Sequence, residues 1–322
     1  MRITVLHSDV AADAPPDELD TLVTAGGIAA ALMARGHVAV QTPFVADPAG
    51  LKARIAGADV VFNLVESVFG QDELAALAPA MLERLGVAYT GSAAAALAIT
   101  ADKPAAKRIL RGAGLPTPDW AEPPHWDGLS EGTRYIVKSA TADASVGLDD
   151  DAVVSGRAAV RARARKSVAE YAGRWFAEAY VEGREFNVAV LEEAGSPRVL
   201  PIAEMRFTDW AAERPKIVGY AAKWDEASDD AVKTVRAFGL EKTEPALERR
   251  LREQALEAWR LFGLGGYARV DFRVDEAGAP AILEINANPC LEQGAGFAAA
   301  AREAGYTYDA LIEQIVHAAL RD

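Results

Sequence analysis

The stretch YARVDFRV-DEAGAP-AILEIN, residues 267–286, is two alternating apolar–polar runs around a turn rich in Asp, Gly and Pro. Alternation at period two sends every second side chain to one face of a strand, so the pattern predicts an antiparallel hairpin. With Val274 set opposite Ala281, Asp271 falls opposite Glu284 and Arg269 opposite Asn286. Directly opposed Cβ atoms lie about 5 Å apart, and two carboxylates at that distance repel unless a cation joins them. The donors are oxygens only, with no His or Cys at ligand spacing. That set suits Mg²⁺ or Mn²⁺ rather than zinc, and magnesium usually takes one or two carboxylates together with substrate phosphates. The alternative is a solvated hairpin face whose charges merely happen to pair.

Working outward, LEINANPC (residues 283–290) continues the second strand past Asn286 and Asn288 to the single cysteine of the chain. Upstream, "YIVKSA" buries Lys138 in a strand, a costly placement unless an anion meets it. The following "SATADASVG" offers backbone N–H groups that could curl over phosphate, although a plain edge-strand lysine is the better reading of this stretch taken alone. "DKPAAKRILRGAG" opens a helix with Asp and Pro and carries Lys103 at its head. "WFAEAYVEGREFNVAVLE" reads as strand, Gly-centred turn and strand, with Glu178 and Glu185 on either side. Lys223 falls in a long irregular piece, residues 205–242, of the kind that serves as a lid. At the N-terminus "RITVLH", "VAVQTP" and "DVVFNLV" alternate with helical segments, which predicts parallel βαβ units in an open α/β sheet.

The chain has 322 residues, 51% hydrophobic and 25% charged, enough for two or three domains with a substantial core. A formal charge of -13 argues against nucleic acid and anionic membranes as partners. One cysteine rules out an internal disulfide framework. No signal-like segment or membrane-length apolar run is evident, so a cytoplasmic protein is expected.

The order of these features resembles the D-alanine–D-alanine ligase-like branch of the ATP-grasp enzymes. The residues that carry the resemblance are "YTGS" with "DKPAAKRILRGAGLPTPDW", then "IVK...SVG", "EAYVEGREFNVAVL", "YAAKW", the hairpin with "NANP", and the tail "AAAAREAGYTYDALIEQIV". The resemblance implies an α/β (in parts α+β) three-domain ATP-grasp fold. Residues 1–96 would form the N-terminal α/β domain, 97–180 the small central domain, and 181–322 the C-terminal domain with the metal site. Two α+β domains would clasp ATP. The implied reaction is ATP-dependent, ADP-forming joining of a carboxylate to an amine through an acyl phosphate. Small amino-acid-like substrates and a homodimer are implied with it.

Carried over by position, Lys103, Lys138 and Lys223 would hold ATP phosphates, with Lys223 able to reach the second substrate's carboxylate instead. Glu178 and Val181 would meet the adenine edge and Glu185 the ribose. Asp271, Glu284 and Asn286 would bind two Mg²⁺ ions, Arg269 would stabilise the acyl phosphate and tetrahedral intermediate, and Ser145 would sit in the phosphate loop. Counting back from "TAGGIAAAL" puts Glu18 at the family's amine-binding glutamate.

The sequence departs from its relatives where substrate is chosen. "HSDVAADAPPDELD" replaces a glycine-rich stretch, and Glu66 stands where the relatives have histidine. Cys290 replaces a glycine and Ala295 a serine that binds the second D-alanine's carboxylate. A product other than D-alanyl-D-alanine is therefore expected, with that dipeptide the alternative. An ester-forming ligase, a tailoring ligase of peptides and a non-catalytic ATP-binding protein are further alternatives. Cys290 reads as a small lining residue rather than a nucleophile, His7 as a candidate for the acceptor pocket, and the run Arg157, Arg161, Arg163, Arg165, Lys166 as a solvated helix face.

Overall fold

The computed structural model describes residues 1–320. Its N-terminal sheet is parallel, in the order β2-β1-β3, from β1 (Arg2–His7), β2 (Val38–Pro43) and β3 (Val60–Leu64). All five residues of β3 are buried, as expected for a parallel strand covered on both faces. The helix Pro16–Ala34 starts with Pro at its first turn and lays Ala25, Ile28, Ala29 and Leu32 on the sheet. The last helix, Tyr308–Ala319, packs into the same core through Leu311, Ile312, Ile315 and Val316. The C-terminal end of the chain thus completes the N-terminal core.

The second sheet is antiparallel, β4-β7-β5-β6, built from β4 (Trp120–Ala121), β5 (Arg134–Ser139), β6 (Val153–Ser155) and β7 (Trp175–Ala179). The basic helix Gly156–Tyr171 backs it. Its arginines do not all face solvent: Arg163 is buried, bonded to Gly147 O at 2.7 Å and paired with Asp149 at 3.0 Å. That corrects the uniform solvated face read from the sequence. A buried guanidinium with two oxygen partners is tolerable where an unpaired one is not.

The third sheet comprises β8 (Gly183–Glu193), β9 (Ser196–Val199), β10 (Ala203–Phe207), β11 (Thr234–Ala237), β12 (Tyr267–Asp275) and β13 (Pro280–Asn286). It runs β11-β10-β8-β12-β13, with β9 on β8. Strands β7 and β8, read in sequence as one strand–turn–strand unit, pair in different sheets. Gly183 makes the passage: its φ is 143°, and a Cβ there would lie 2.1 Å from Val274 O. The piece expected to be irregular holds most of β10, all of β11, the short helices Tyr220–Trp224 and Asp229–Lys233, and the start of a third, Leu240–Thr243.

The hairpin forms with one change. Asp271 opposes Glu284 and Arg269 opposes Asn286, as the pattern predicts, but Val274 opposes Pro280 rather than Ala281. A bulge at Leu283 absorbs the extra residue and restores the register at the charged end. Phe186, Val188, Val270, Phe272, Ile282 and Ile285 fill the core behind, against the helix Pro245–Phe262. The helices Ala94–Thr100 and Lys103–Gly112 join that same core through Leu97, Ala106 and Leu110. No helix among the described residues is long and apolar enough to cross a membrane.

Candidate active site

A cavity of about 1210 Å³ opens where the three sheets meet, and every residue carried over from the sequence lines it. Lys103, Lys138, Ser145, Glu178, Val181, Glu185, Lys223, Arg269, Asp271, Glu284, Asn286 and Glu18 are all in its wall. His7 is buried instead, its Nδ1 contacting Ser8 O at 2.8 Å, and it is not among the lining residues.

At one end the cations gather. Lys138 on β5 meets Glu178 Oε1 of the neighbouring β7 at 3.0 Å. The other oxygen of Glu178 pairs with Lys107, a residue the sequence reading missed. Lys107 lies one turn after Lys103 on the same helix, so its i+4 spacing on an otherwise apolar face was the available signal. Burial, opposed by Glu178 and assisted by Lys138, pushes its pKa down to about 8. Lys107 also donates to Thr117 Oγ1 at 2.8 Å, which in turn donates to Ile282 O on β13 at 2.8 Å. The triad of two lysines and one glutamate therefore ties the small sheet to the large one.

Asp102 caps the helix that carries Lys103, accepting from Ala105 N at 2.9 Å. Lys103 donates to Ala142 O at 3.0 Å and Asp143 at 2.8 Å, and lies 3.9 Å from Glu284. Burial works against its charge, but Asp143 and Glu284 outweigh it and the net shift is upward. The loop at residues 140–148 carries Ala144 and Ser145 at φ of 56° and 62°, an uncommon backbone for non-glycine residues. It is anchored to the segment 205–242: Ser145 Oγ donates to Val218 O at 2.9 Å, and Trp224 Nε1 to Ala144 O at 2.9 Å. Asp143 N further donates to Asp72 Oδ2 at 3.0 Å. Val181, just past β7, makes no backbone hydrogen bond among the described residues, while Ala179 and Tyr180 donate theirs to Asp119 O and Arg134 O.

At the hairpin, Arg269 holds Asp271 in a two-point contact, Nε–Oδ1 and Nη2–Oδ2 both 2.8 Å. Asn187 donates to Asp271 Oδ1 at 2.8 Å, and Asn286 Nδ2 to Oδ2 at 3.1 Å. For Glu284, burial pushes the pKa up, but Lys103, Lys138, Lys223 and Arg269 hold it well below the ordinary carboxylate range. No group of three or more His, Cys, Asp or Glu among the described residues is preassembled as a metal cage. The donors present are two carboxylates and an amide, all hard oxygens. A carboxylate offers about four lone-pair sites, and the four hydrogen bonds on Asp271 fill them, so a metal there would displace one donor, whereas Glu284 accepts no hydrogen bond among the described residues and is open to a cation. The set fits Mg²⁺ sharing its shell with phosphate better than a closed protein cage.

The opposite end is acidic. Ser8 Oγ accepts from Glu66 N at 3.0 Å and Ser67 N at 3.1 Å, and Thr21 donates to Glu66 Oε2 at 2.9 Å. Burial pushes the Glu66 pKa up to about 7, and the nearby Asp20 and Asp72 add to it. Cys290 Sγ donates to Asp20 Oδ2 at 3.2 Å, and burial raises the thiol strongly. Tyr220, in the short helix Tyr220–Trp224, donates to Asp17 Oδ1 at 2.7 Å, next to Glu18. Asp17, Asp20 and Asp72 carried no motif, and only the three-dimensional convergence brings them into view.

Residues 130–317 match the family profile described as "D-ala D-ala ligase C-terminus". The chain belongs to the D-alanine–D-alanine ligase family. Within it, the D-alanine–D-alanine ligase of Desulforudis audaxviator is 32% identical over 299 residues, 91% of each chain. An uncharacterised protein of Sinorhizobium fredii, y4sG, is 34% identical over 271 residues, 84% of this chain and 76% of that one. Among solved structures, the D-alanine–D-alanine ligase of Bacillus anthracis complexed with ATP superposes with a TM-score of 0.76 at 24% identity, covering 100% of this chain and 97% of that one. The last likeness bears on the fold. By family the chain is an ATP-grasp ligase of the ADP-forming, C–N bond-making kind.

Proposed function

We propose that the chain uses ATP and Mg²⁺ to join two small amino-acid-like substrates through an acyl phosphate. The observation that carries this is the convergence of Lys103, Lys138 and Arg269 with the Asp271–Glu284–Asn286 oxygens on one cavity wall. In this reading Lys103, Lys138 and Lys223 hold the ATP phosphates, and Ser145 and its loop close over them. The free backbone of Val181 meets the purine edge. Glu178 acts mainly by holding Lys107 and Lys138 in place through its two oxygens. Glu185, steadied by Arg273 at 3.3 Å, takes the ribose hydroxyls. Asp271, Glu284 and Asn286 would hold the metal, which neutralises charge on the transferring phosphate.

The carboxylate of the first substrate attacks the γ-phosphorus as the bond to ADP breaks. The unprotonated amine of the second then attacks the acyl carbon, phosphate leaves, and the amine proton is released. Arg269, fixed by Asp271, faces the negative charge that builds in both steps, so most of the rate comes from positioning and preorganised charge. The acidic end, with Glu18 next to Asp17, Asp20 and Glu66, offers carboxylates to the first substrate's ammonium group. The proposal extends to a homodimer in the cytoplasm and to a division at residues 96/97 and 180/181, one sheet to each unit.

The relatives named D-alanine–D-alanine ligases make D-alanine the first acid to try. Pairs of D- and L-amino acids and hydroxy acids are screened for ADP release, with product masses measured. At least one pair should raise ADP release well above background and give a product short of one water. If ATP binds yet no pair or single acid stimulates ADP release, the protein is an ATP-binding protein and the ligase reading fails.

A further inference from the structure

Six cationic side chains line the cavity: Lys103, Lys138, Lys223, Arg236, Arg269 and Arg273. Four are paired, Lys103 with Asp143, Lys138 with Glu178, Arg269 with Asp271 and Arg273 with Glu185. Lys223 already has a place on the phosphates. Arg236, in β11, has no carboxylate partner among the described residues. Its one hydrogen bond is from Nη1 to Gly294 O at 3.2 Å, and its Nε is buried with no partner. Of the cavity's three arginines it alone lacks a carboxylate partner among the described residues. Burial, and then repulsion from Arg269 and Arg302, disfavour its charge. A half-buried cation with an orphaned donor and two cationic neighbours is a net cost unless an anion arrives.

A second donor waits beside it. Thr234, two residues earlier and therefore on the same side of β11, also lines the cavity, and its Oγ1 is buried without a partner. Across from the pair is the loop that follows the hairpin. Arg236 Nη2 lies 3.7 Å from where a Cβ on Gly296 would be, so a side chain at 296 would narrow the space beside the guanidinium. The phosphate lysines contact Asp143, Glu178 and Glu284 instead, and β11 lies beyond β10 and β8 from the metal hairpin. Arg236 pairs with none of those groups.

We propose that Arg236, with Thr234 beside it, binds the free carboxylate of the amine-donating substrate. The proposal rests on the ligase reading for which substrate this is, and it makes that substrate an amino acid whose own carboxylate survives in the product. An amine without a carboxylate would leave the guanidinium unpaired and bind poorly.

The wild-type chain is treated with phenylglyoxal, an arginine-selective reagent, and modification at Arg236 is read by peptide mass. Protection is compared for a non-hydrolysable ATP analogue alone, and for the analogue with a mixture of amino acids or of their carboxamides. Amino acids should protect Arg236, and the carboxamides and the analogue alone should not. Equal protection by carboxamides, protection by the analogue alone, or none by amino acids overturns the proposal. Protection by amino acids with no ADP release in any mixture keeps the anion site and removes the ligase reading, so the two failures are distinct. With an active pair, Arg236→Met should raise the acceptor KM about tenfold or more at nearly unchanged kcat. Arg236→Lys should recover part of that loss. A fall in kcat with the acceptor KM unmoved, in both variants, would assign Arg236 a structural role.

Discussion

Glu284 and Glu66 are two half-buried carboxyls of one cavity whose proton affinities are shifted in opposite directions, and the difference lies in their neighbours. Glu284 is surrounded by Lys103, Lys138, Lys223 and Arg269, whereas Glu66 has Thr21 and further acids around it. Glu284→Gln removes a metal-holding charge and should abolish ADP formation while circular dichroism and the thermal midpoint change little; an unchanged rate would sink the metal assignment. For Glu66 the folded pKa of about 7 lies above the ordinary 4.5. Between those pH values the folded state keeps a proton that the unfolded chain has lost. Its stabilising contribution is therefore complete below about pH 4.5 and is lost as pH rises to 7, by about 3 kcal/mol in all. Urea unfolding of wild type and Glu66→Gln at about pH 5 and about pH 8 checks this, because the variant should lose less stability over that interval. At this scale the sequence showed which residue types matter, since motif positions are local. It did not show Asp20, Asp72, Lys107 or Arg236, whose importance comes from what lies across the cavity.

Elements were legible wherever periodicity was strong and a boundary residue marked the end. The last helix and β1 have the limits their patterns suggest, Asp102 starts its helix by capping, and Gly36 follows the end of the first helix with left-handed backbone. What failed was pairing. Nothing between Trp175 and Glu193 says that the two strands part company, because sheet membership depends on distant partners. Gly183 enforces that parting, and Gly183→Ala should destabilise the protein by at least about 2 kcal/mol, since both its φ and the 2.1 Å approach to Val274 O exclude a Cβ. Chemical denaturation measures it, and a loss within a few tenths of a kcal/mol would mean that the strand crossing relaxes freely. The bulge at Leu283 is a second feature hidden from alternation alone, and it makes up for a turn one residue shorter than the simple register predicts.

Over the whole molecule, the first and last thirds of the chain share one core. Ile315→Ala, in the final helix, should cost about 2–5 kcal/mol and raise hydrogen exchange in β1 and β3 far away in sequence. If exchange rose only within residues 308–319, the two ends would be energetically separate. The same global arrangement brings the first helix and the loop after the hairpin together at a single thiol. Since Cys290 is the only cysteine of the chain and its proton is held tightly against Asp20, a maleimide dye has one address, at the substrate end of the cavity. The native protein thus carries its own occupancy gauge: labelling should be slow at neutral pH because little thiolate is present, and slower again with both substrates bound.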